Sequence, residues 1–438
     1  MAKAAAQAKK YLFAIATVYM CYLTHGVQAI ILSQNKENFY TQWGYTDPAA
    51  GAAAVSMAIT LTGVGKFVTV WAGGELSDRI GRKIPAVLGA VLYVICFLML
   101  LFTDNFYLAC VAGFLAGVAT SGFWDGALYP AVAEASPKYA GSTTIGIKAV
   151  ISIAGIAYPL FAAMNSGSSW HINIWIPIVL SVICVVLCAA TPFVYDDKRK
   201  QAATGANNTN ATNQAEAEIQ AAKDAMLTKP NAFTNFLTLF FGFVIMFIMY
   251  GAQQYTKAFG QNNLGFDSVA AAGLTSIYTA GSIIAVLFWA FMMGKLRWEP
   301  IKVMLIDSAL AVIALAVVII ALPLNLGVYA VYFGIAVLGF SAAGGMLQTG
   351  VTLRQQMCPG PRGRNVGMYY TFMGFASVFL PFIVSGMTSA IGETTAVWVM
   401  MILLLVASVV STAMSMYVCV QFKKQFGYSA LKPKSERG

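Results

Sequence analysis

The chain has 438 residues, of which 59% are hydrophobic and only 10% are charged, and its mean hydropathy is +0.71. Because soluble domains carry about 25% charged residues, this composition excludes a soluble globular protein and indicates an integral membrane protein. The formal net charge of +10 would suit a nucleic-acid-binding protein only if the basic residues formed a patch, and their distribution along the chain argues against one.

Hydropathy predicts twelve membrane-spanning helices, each near the ~20 residues that a helix needs to cross the hydrocarbon. We number them spans 1 to 12, and they cover residues 11–34, 48–73, 84–103, 106–135, 140–166, 171–195, 232–257, 267–294, 301–322, 326–352, 365–390 and 394–420. The first apolar run lacks a small-residue cleavage site, so we expect it to remain as span 1 rather than to be removed as a signal peptide.

A polar segment divides the chain into two halves. Residues 196–231 combine a charged run with an Asn/Thr/Ala tract, which predicts a linker. We therefore predict an all-α membrane protein in which two six-helix bundles, residues 1–195 and 232–420, surround a central cavity. The remaining residues, 421–438, form a tail.

The positive charges predict the orientation of the chain. If the N-terminus is cytoplasmic, every Lys and Arg falls on a cytoplasmic segment except four: Lys36 and Lys257 outside, and Lys66 and Lys148 within spans. This is the positive-inside pattern. We expect a multi-pass protein of the plasma or inner membrane with both termini in the cytoplasm, lipid around it and no nucleic-acid partner.

The seven cysteines are scattered, most of them within apolar runs, and lack the spacing of metal ligands. We therefore expect neither a disulfide framework nor a metal site, and no cofactor.

The segment after span 2 carries the most specific motif of the chain, Gly74-Glu75-Leu76-Ser77-Asp78-Arg79-Ile80-Gly81-Arg82-Lys83. Between two apolar runs it is predicted to form a tight charged loop at a membrane face. The spacing G-x-L-x-D-R-x-G-R-K resembles the signature loop of the major facilitator superfamily of secondary transporters. A decayed copy, Gly294-Lys295-Leu296, follows span 8.

The resemblance implies transport of small solutes by alternating access, in which two halves rock about a site near the midplane. It also implies a gate role for Gly74, Asp78, Arg79, Gly81 and Arg82. Asp78 would face the start of span 11, and Arg82 would pair with Glu134 at the end of span 4. Span 5 lacks the motif of the drug-antiporter branch and span 4 lacks its arginine, which favours uptake of a metabolite over drug efflux.

Few ionisable residues lie inside the spans, where charge is expensive and therefore usually functional. Asp125 in span 4 and Lys148 in span 5 lie at similar depth, so they form either a buried structural ion pair or a pair that opens toward substrate or proton. Lys66 in span 2 either extends to the interface or faces the cavity. If both lysines face the cavity, positive charge exceeds negative there, which suits an anion.

Uncharged polar residues complete the predicted site. His25 in span 1 is either a neutral residue bonded across helices or a proton relay, with Gln28 one turn away. Tyr129 shares a helical stripe with Asp125. In the second half, which we expect to contain no buried charge except Arg354, the candidates are Tyr250, Gln254 and Gln348.

The sequence therefore predicts a proton-coupled symporter of a small organic anion, with Lys148 and Lys66 binding a carboxylate and Asp125 taking up the proton. A sugar or polyol porter is the alternative, suggested by the Gln and Tyr residues of span 7. From a different class, a polytopic receptor or enzyme is disfavoured, because no HExxH, GxSxG, P-loop or CxxC motif is present. We expect a monomer without enzymatic activity, whose partners are its substrate, protons and lipid.

Overall fold

The computed structural model describes residues 2–136, 140–167, 169–202, 226–321, 324, 326–358 and 362–432. Within these ranges the chain consists of helices and short connections and contains no strand. The predicted all-α architecture is confirmed. Eleven helices among the described residues are long and apolar enough to cross a membrane, and the helix Ala2–Gln28 lies where span 1 is predicted.

In the first half, span 1 is Ala2–Gln28, span 2 is Pro48–Ile80, span 3 is Lys83–Phe102, span 5 is Ala140–Met164 and span 6 is Ile172–Ala190. Span 4 consists of three consecutive segments, Phe106–Gly117, Val118–Trp124 and Asp125–Ala135. Three short helices of the described residues lie outside the spans: Ile31–Gln34, Lys36–Gln42 and Val194–Ala202.

In the second half, span 7 is Ala232–Leu264, span 8 is Ser268–Gly294, span 9 is Pro300–Ala321, span 11 is Arg362–Ile391 and span 12 is Glu393–Phe426. Span 10 again has three segments, Val328–Leu338, Gly339–Met346 and Leu347–Met357. Many span boundaries agree with the hydropathy prediction within a few residues, but span 1 begins nine residues before its predicted start, and spans 2 and 7 each run seven residues past their predicted ends.

Local sequence explains where the spans of the first half begin. The carboxylate of Asp47 accepts the backbone N–H of Ala50 at 2.9 Å, and Pro48 occupies the first helical position of span 2. Asn105 caps span 4 in the same way, since its side-chain oxygen accepts the N–H of Tyr107 at 2.8 Å. These caps satisfy backbone donors that the helices leave free at their first turns.

Glycines let spans 2 and 4 approach closely. A Cβ on Gly117 would lie 2.1 Å from the carbonyl oxygen of Thr62, and a Cβ on Gly65 would lie 2.2 Å from that of Phe114. Small residues allow such backbone approach where lipid supplies no hydrophobic drive for association. Large apolar side chains such as Trp71 and Phe333, each 66% exposed, cover the outer surface of the helices, as expected for contact with lipid.

Spans 4 and 10 share an unusual feature. The middle segment of each, Val118–Trp124 and Gly339–Met346, is a π-helix. π-Helical turns are rare and are found mostly at functional sites. Each of these spans is the fourth of its predicted half, so the two halves share this irregularity in addition to the weak sequence repeat.

The chain divides into two compact units. The first comprises Met1–Asn207, Gly260–Ser276 and Ser377–Ala396; the second comprises Asn208–Phe259, Ile277–Ala376 and Val397–Gly438. The first unit therefore includes the connections between spans 7 and 8 and between spans 11 and 12. The domain boundaries predicted at residues 195 and 232 stay a prediction.

Polar contacts hold those connections within the first unit. Lys36 forms an ion pair with Glu393, both being largely buried. Gln261 Nε2 donates to the carboxylate of Glu37 at 3.0 Å, and Ser385 Oγ donates to the carbonyl oxygen of Ala53 at 2.9 Å. The short helix Lys36–Gln42 thus fastens both connections to the first unit.

Candidate functional site

The carboxylate of Asp125 is the centre of a polar cluster in the first unit. It stands at the first residue after the π-helix of span 4. The hydroxyl of Tyr22 on span 1 donates to its Oδ1 at 3.0 Å, and Ser121 Oγ donates to its Oδ2 at 2.9 Å. Two hydrogen bonds therefore stabilise the carboxylate inside the membrane, and they link it to span 1.

The two intramembrane lysines have different relations to this carboxylate. Among the described residues, no ion pair of 4.0 Å or less joins Asp125 to Lys66 or to Lys148. The charge of Lys66 acts on Asp125, whereas no such interaction is found for Lys148. The predicted Asp125–Lys148 ion pair is therefore wrong. Similar depth in consecutive helices does not fix the rotation of each helix about its own axis, and rotation decides which side chains meet.

His25 connects this cluster to span 3. Its Nδ1 lies 2.9 Å from the hydroxyl of Tyr93, which in turn lies 2.6 Å from Thr120 Oγ1 and 3.5 Å from Gln28 Oε1. The charges of both Lys66 and Lys148 reach the imidazole. The predicted group of His25, Gln28, Lys66, Lys148 and Asp125 is thus brought together, with Tyr93 as an additional member.

Aromatic rings form one wall of the cluster. The ring of Tyr22 packs against Tyr129 at 5.0 Å between centroids and against Trp124 at 6.4 Å. Tyr22 and Trp124 are buried, while Tyr129 is partly exposed. The predicted stripe that places Tyr129 with Asp125 on span 4 therefore holds in the structure, and its partner is a tyrosine of span 1.

The charged groups of the cluster are accessible although they lie well inside their spans. His25, Lys66, Asp125 and Lys148 are each partly exposed. The cluster contains two lysines and one carboxylate, so it carries an excess of positive charge even with a neutral imidazole. Such an arrangement can bind an anionic group by charge-assisted hydrogen bonds.

A second constellation lies where span 2 meets span 3. Arg82 is 4% exposed and forms two ion pairs, Nη1 with Asp78 Oδ1 at 2.8 Å and Nη2 with Glu134 Oε1 at 2.8 Å. Its Nη1 also donates to Ser77 Oγ at 2.7 Å. We call Asp78, Arg82 and Glu134 the latch. Burial lowers the pKa of Arg82, but the hydrogen bonds and charges of Glu134 and Asp78 outweigh burial and raise the pKa overall.

The predicted ten-residue loop is largely helix, which corrects the sequence interpretation. Span 2 continues to Ile80, and Gly74 lies inside it with no neighbouring atom within 4 Å of its Cβ position. The turn is confined to Gly81 and Arg82, and the φ of +98° at Gly81 favours glycine. Arg79 makes only an exposed pair with Glu75, one helical turn away.

Residues after span 6 complete the latch, and sequence reasoning missed them. Asp196 accepts the backbone N–H of Arg82 and of Lys83, each at 3.1 Å. Tyr195 donates to the carbonyl oxygen of Asp78 at 2.7 Å, and its ring lies 4.3 Å from the guanidinium carbon of Arg82. A Cβ on Gly81 would lie 1.9 Å from the carboxylate of Asp196. The one sequence feature that could have indicated this contact is the acidic residue Asp196, just after span 6.

The predicted residues of the second half belong to the second unit. Tyr250 and Gln254 of span 7 are 5% and 2% exposed, whereas the side chain of Gln348 lies outside the described residues. Their assignment to the substrate site stays a prediction.

The expectation that Arg354 is the only buried charged residue of the second half is wrong. Asp307 in span 9 is fully buried, at 0% exposure. Arg354 itself donates to Thr238 Oγ1 at 2.8 Å and to the carbonyl oxygen of Asn235 at 3.1 Å. Asp307 could have been identified from the sequence, because it is an acidic residue within an otherwise apolar span. Such residues are functional candidates by default.

The fold, the polar cluster around Asp125 and the latch are together typical of a multi-pass membrane transporter. A model of the Major Facilitator Superfamily matches residues 12–359, and the chain belongs to this family. It is therefore a transporter rather than an enzyme.

Known transporters resemble the chain over most of its length. The inner membrane transport protein YdiM of Escherichia coli is 29% identical over 84% of this chain and 85% of its own. The MFS-type transporter YfkL of Bacillus subtilis is 26% identical over 94% of this chain and 97% of its own. The crystal structure of a D-xylose-proton symporter superposes with a TM-score of 0.70 at 15% identity, over 92% of this chain and 97% of that structure. At that identity the symporter shows the fold alone.

Proposed function

We propose that this transporter is a proton-coupled symporter of a small organic anion, in which a substrate carboxylate binds to Lys148 and Lys66. The observation that carries the proposal is the cluster of partly exposed charged groups, in which the charges of two lysines reach His25 and only one carboxylate, Asp125, is present. A buried ammonium group is costly unless a partner compensates it. Lys148 has no carboxylate partner in the cluster, so it is the primary ligand for the anion.

Asp125 supplies the proton coupling in this proposal. While ionised, it is held by Tyr22 and Ser121 and compensates the charge of Lys66. Protonation removes that negative charge and frees Lys66 for the substrate. Proton and anion then bind with positive coupling, each raising the affinity for the other.

The latch is proposed to close the side of the membrane on which Arg82 lies. By the charge distribution this is the cytoplasmic side, with both termini there. Opening requires Arg82 to leave Glu134 while Asp196 and Tyr195 keep the turn between spans 2 and 3 in place. The protein is proposed to act as a monomer by alternating access.

The test is uptake by purified protein in proteoliposomes, with small carboxylates and small sugars as probes, in the presence and absence of a proton gradient. Asp125→Asn is expected to lose proton-driven accumulation and to retain exchange of substrate across the membrane. Lys148→Ala is expected to lose anion binding. Lys229→Ala, an exposed lysine outside the spans, is the matched control and is expected to behave like the wild type.

Neutral hydrogen-bonding groups provide an alternative substrate class. His25, Gln28, Tyr93 and Thr120 form a network that would suit the hydroxyl groups of a sugar or polyol. Saturable transport of a neutral probe with unchanged affinity in Lys148→Ala would overturn the anion proposal in favour of this class.

A further inference from the structure

The buried carboxyl of Asp307 has no role in the proposed mechanism. It lies in the second unit, on span 9, about two helical turns from the N-terminus of that span at Pro300. Neither of its oxygens makes a hydrogen bond, and the indole Nε1 of Trp289 on span 8 is likewise unpaired. Buried polar groups are almost always satisfied, so two facing unsatisfied groups call for an explanation.

Gly345 creates the space in which these two groups meet. A Cβ at this position would lie 1.6 Å from Asp307 Oδ2 and 2.7 Å from Trp289 Nε1. Gly345 belongs to the π-helix of span 10, against which span 9 packs. The carboxyl and the indole therefore point at the same small site beside an irregular helix.

In the part of the chain that the structure describes, no charged group is found to compensate Asp307. Among the described residues, the side chain found to act on it is the indole of Trp289, which faces the carboxyl without meeting the geometry of a hydrogen bond. Glu299 and Lys302 lie near the N-terminal end of span 9 and bond elsewhere, to Tyr428 and to the carbonyl oxygen of Leu431.

Among the described residues, the other elements that pack near this site show no charge acting on Asp307 either. Arg354 on span 10 donates to Asn235 and Thr238. Span 12 contributes the neutral Ser411, which bonds to Ser308 at 2.7 Å. An ionised carboxylate would thus be buried without a cation, whereas a neutral acid requires no counter-charge.

The first unit contains a related arrangement. There, Asp125 follows the π-helix of span 4 and receives two hydrogen bonds. Each half of the chain therefore places one intramembrane carboxyl against the π-helix of its fourth span. The difference is that Asp125 has hydrogen-bond donors that stabilise its ionised form in this conformation, whereas Asp307 has none among the described residues.

We propose that Asp307, with Trp289 and Gly345, forms a second proton-binding site, which holds a proton in the conformation described and releases it when the π-helix of span 10 rearranges. On release the carboxyl O–H bond breaks, the proton passes to water, and the carboxylate gains hydrogen-bond donors that the present packing withholds. The site extends the proposed proton coupling to the second half of the chain. Its first test does not depend on that coupling or on the identity of the substrate.

That first test is infrared spectroscopy of the purified protein in membranes, in H2O and in D2O. The C=O stretching band of a neutral carboxylic acid is expected in the wild type and is expected to disappear in Asp307→Asn. Asp104→Asn, which changes an exposed acid, is the matched control and should keep the band. An acid C=O band that is unchanged by Asp307→Asn would show that Asp307 does not hold a proton and would overturn the proposal.

A second variant keeps the test decisive if Asp307→Asn fails to insert. Trp289→Phe preserves the aromatic ring but removes the indole N–H, so it should shift the frequency of the same band without abolishing it. An unchanged frequency would contradict the assignment of the site.

Transport tests whether the proton is released. In proteoliposomes, Asp307→Asn is expected to transport down a substrate gradient, to bind substrate normally and to build a smaller gradient than the wild type when driven by protons. If accumulation of substrate and its pH dependence equal those of the wild type, Asp307 keeps its proton throughout the transport cycle, and proton release is refuted. Loss of anion binding in Lys148→Ala remains a separate outcome, so failure of one proposal does not decide the other.

Discussion

The two halves of the chain contain corresponding corners, after span 2 and after span 8, that are built with opposite charge. In the first corner a cation of the connection, Arg82, pairs with Glu134 at the end of span 4. In the second an anion of the connection, Glu299, accepts a hydrogen bond from Gln356 Nε2 at the end of span 10, at 2.8 Å. Each corner therefore joins a charged residue of the connection to the end of the fourth span of its half, but the sign of that charge differs.

The segment that follows the sixth span of each half closes its corner. After span 6, Tyr195 and Asp196 bond to the turn between spans 2 and 3. After span 12, Tyr428 donates to Glu299 Oε1 at 3.2 Å, and the carbonyl oxygen of Leu431 accepts from Lys302 Nζ at 3.2 Å. In each half, the segment after the sixth span therefore bonds to the corner of the same half. We call this segment the clamp of that corner.

The difference between the corners lies in the partner of the buried charge. Arg82 has two carboxylates, so breaking the latch leaves charges of both signs uncompensated. The bonds that Glu299 accepts from Gln356 and Tyr428 come from neutral donors, and bonds of this kind are exchanged for bonds to water at lower cost. We infer that the first corner is the switch and that the second is chiefly a structural joint.

Arg82→Ala is expected to have the largest effect. It leaves Glu134 and Asp78 without their cation and should cost about 2–3 kcal/mol of latch stability. Measured uptake should fall roughly tenfold or more while protein remains in the membrane. Arg79→Ala is the matched control, because its exposed pair with Glu75 is worth at most about 0.5 kcal/mol. Equal uptake by the two variants would remove the distinction between the corners.

The pH dependence of this latch follows from the raised pKa of Arg82. A base whose pKa is raised in the folded state contributes stability that is complete below its unfolded pKa and is lost only as pH rises through the folded value. Arg82 should therefore contribute fully across neutral and mildly alkaline pH. A thermal-stability difference between wild type and Arg82→Ala that shrinks between pH 6 and 9 would contradict this expectation.

Glu134→Gln is expected to be the next most severe change. It removes the negative charge of the carboxylate whose Oε1 accepts hydrogen bonds from Nε and Nη2 of Arg82, at 3.3 and 2.8 Å. Since the two residues share one interaction, the double variant with Arg82→Ala should be no worse than the more severe single variant. Additive losses in uptake would show that the residues act independently.

Asp196→Ala tests the clamp of the first corner. It removes the acceptor of two backbone N–H groups at the start of span 3, which is the role of a helix cap and is worth about 1 kcal/mol. A lowered unfolding temperature with a moderate loss of uptake is expected. If Asp196→Ala is as damaging as Arg82→Ala, the clamp is part of the switch itself.

Glu299→Gln is expected to have the smallest effect. An amide oxygen can still accept a hydrogen bond from Tyr428 or Gln356, so the loss should stay below about 1 kcal/mol. Uptake close to wild type is expected in the same proteoliposome assay. A loss comparable with that of Glu134→Gln would mean that both corners switch, and the inferred asymmetry would be wrong.

The sequence by itself determined the number and course of the spans, because a backbone in hydrocarbon must satisfy its own hydrogen bonds and therefore forms helices of a length set by the bilayer. It also indicated the Arg82–Glu134 pair, through the resemblance of a motif. The structure places the site candidates His25, Gln28, Lys66 and Asp125 close to one another, because polar groups inside spans have few alternatives to one another. Their roles in transport stay a prediction.

Only the tertiary structure decided which of these groups interact. The rotation of each helix separates Lys148 from Asp125 and directs the charge of Lys66 to it, and rotation cannot be read from depth along a span. Two contacts join residues that are distant in sequence. Asp196 accepts the backbone N–H of Arg82, and the carboxyl of Asp307 occupies the space that a side chain at Gly345 would fill. Such partners depend on how the helices pack, since hydropathy fixes that a segment is buried but not what it is buried against.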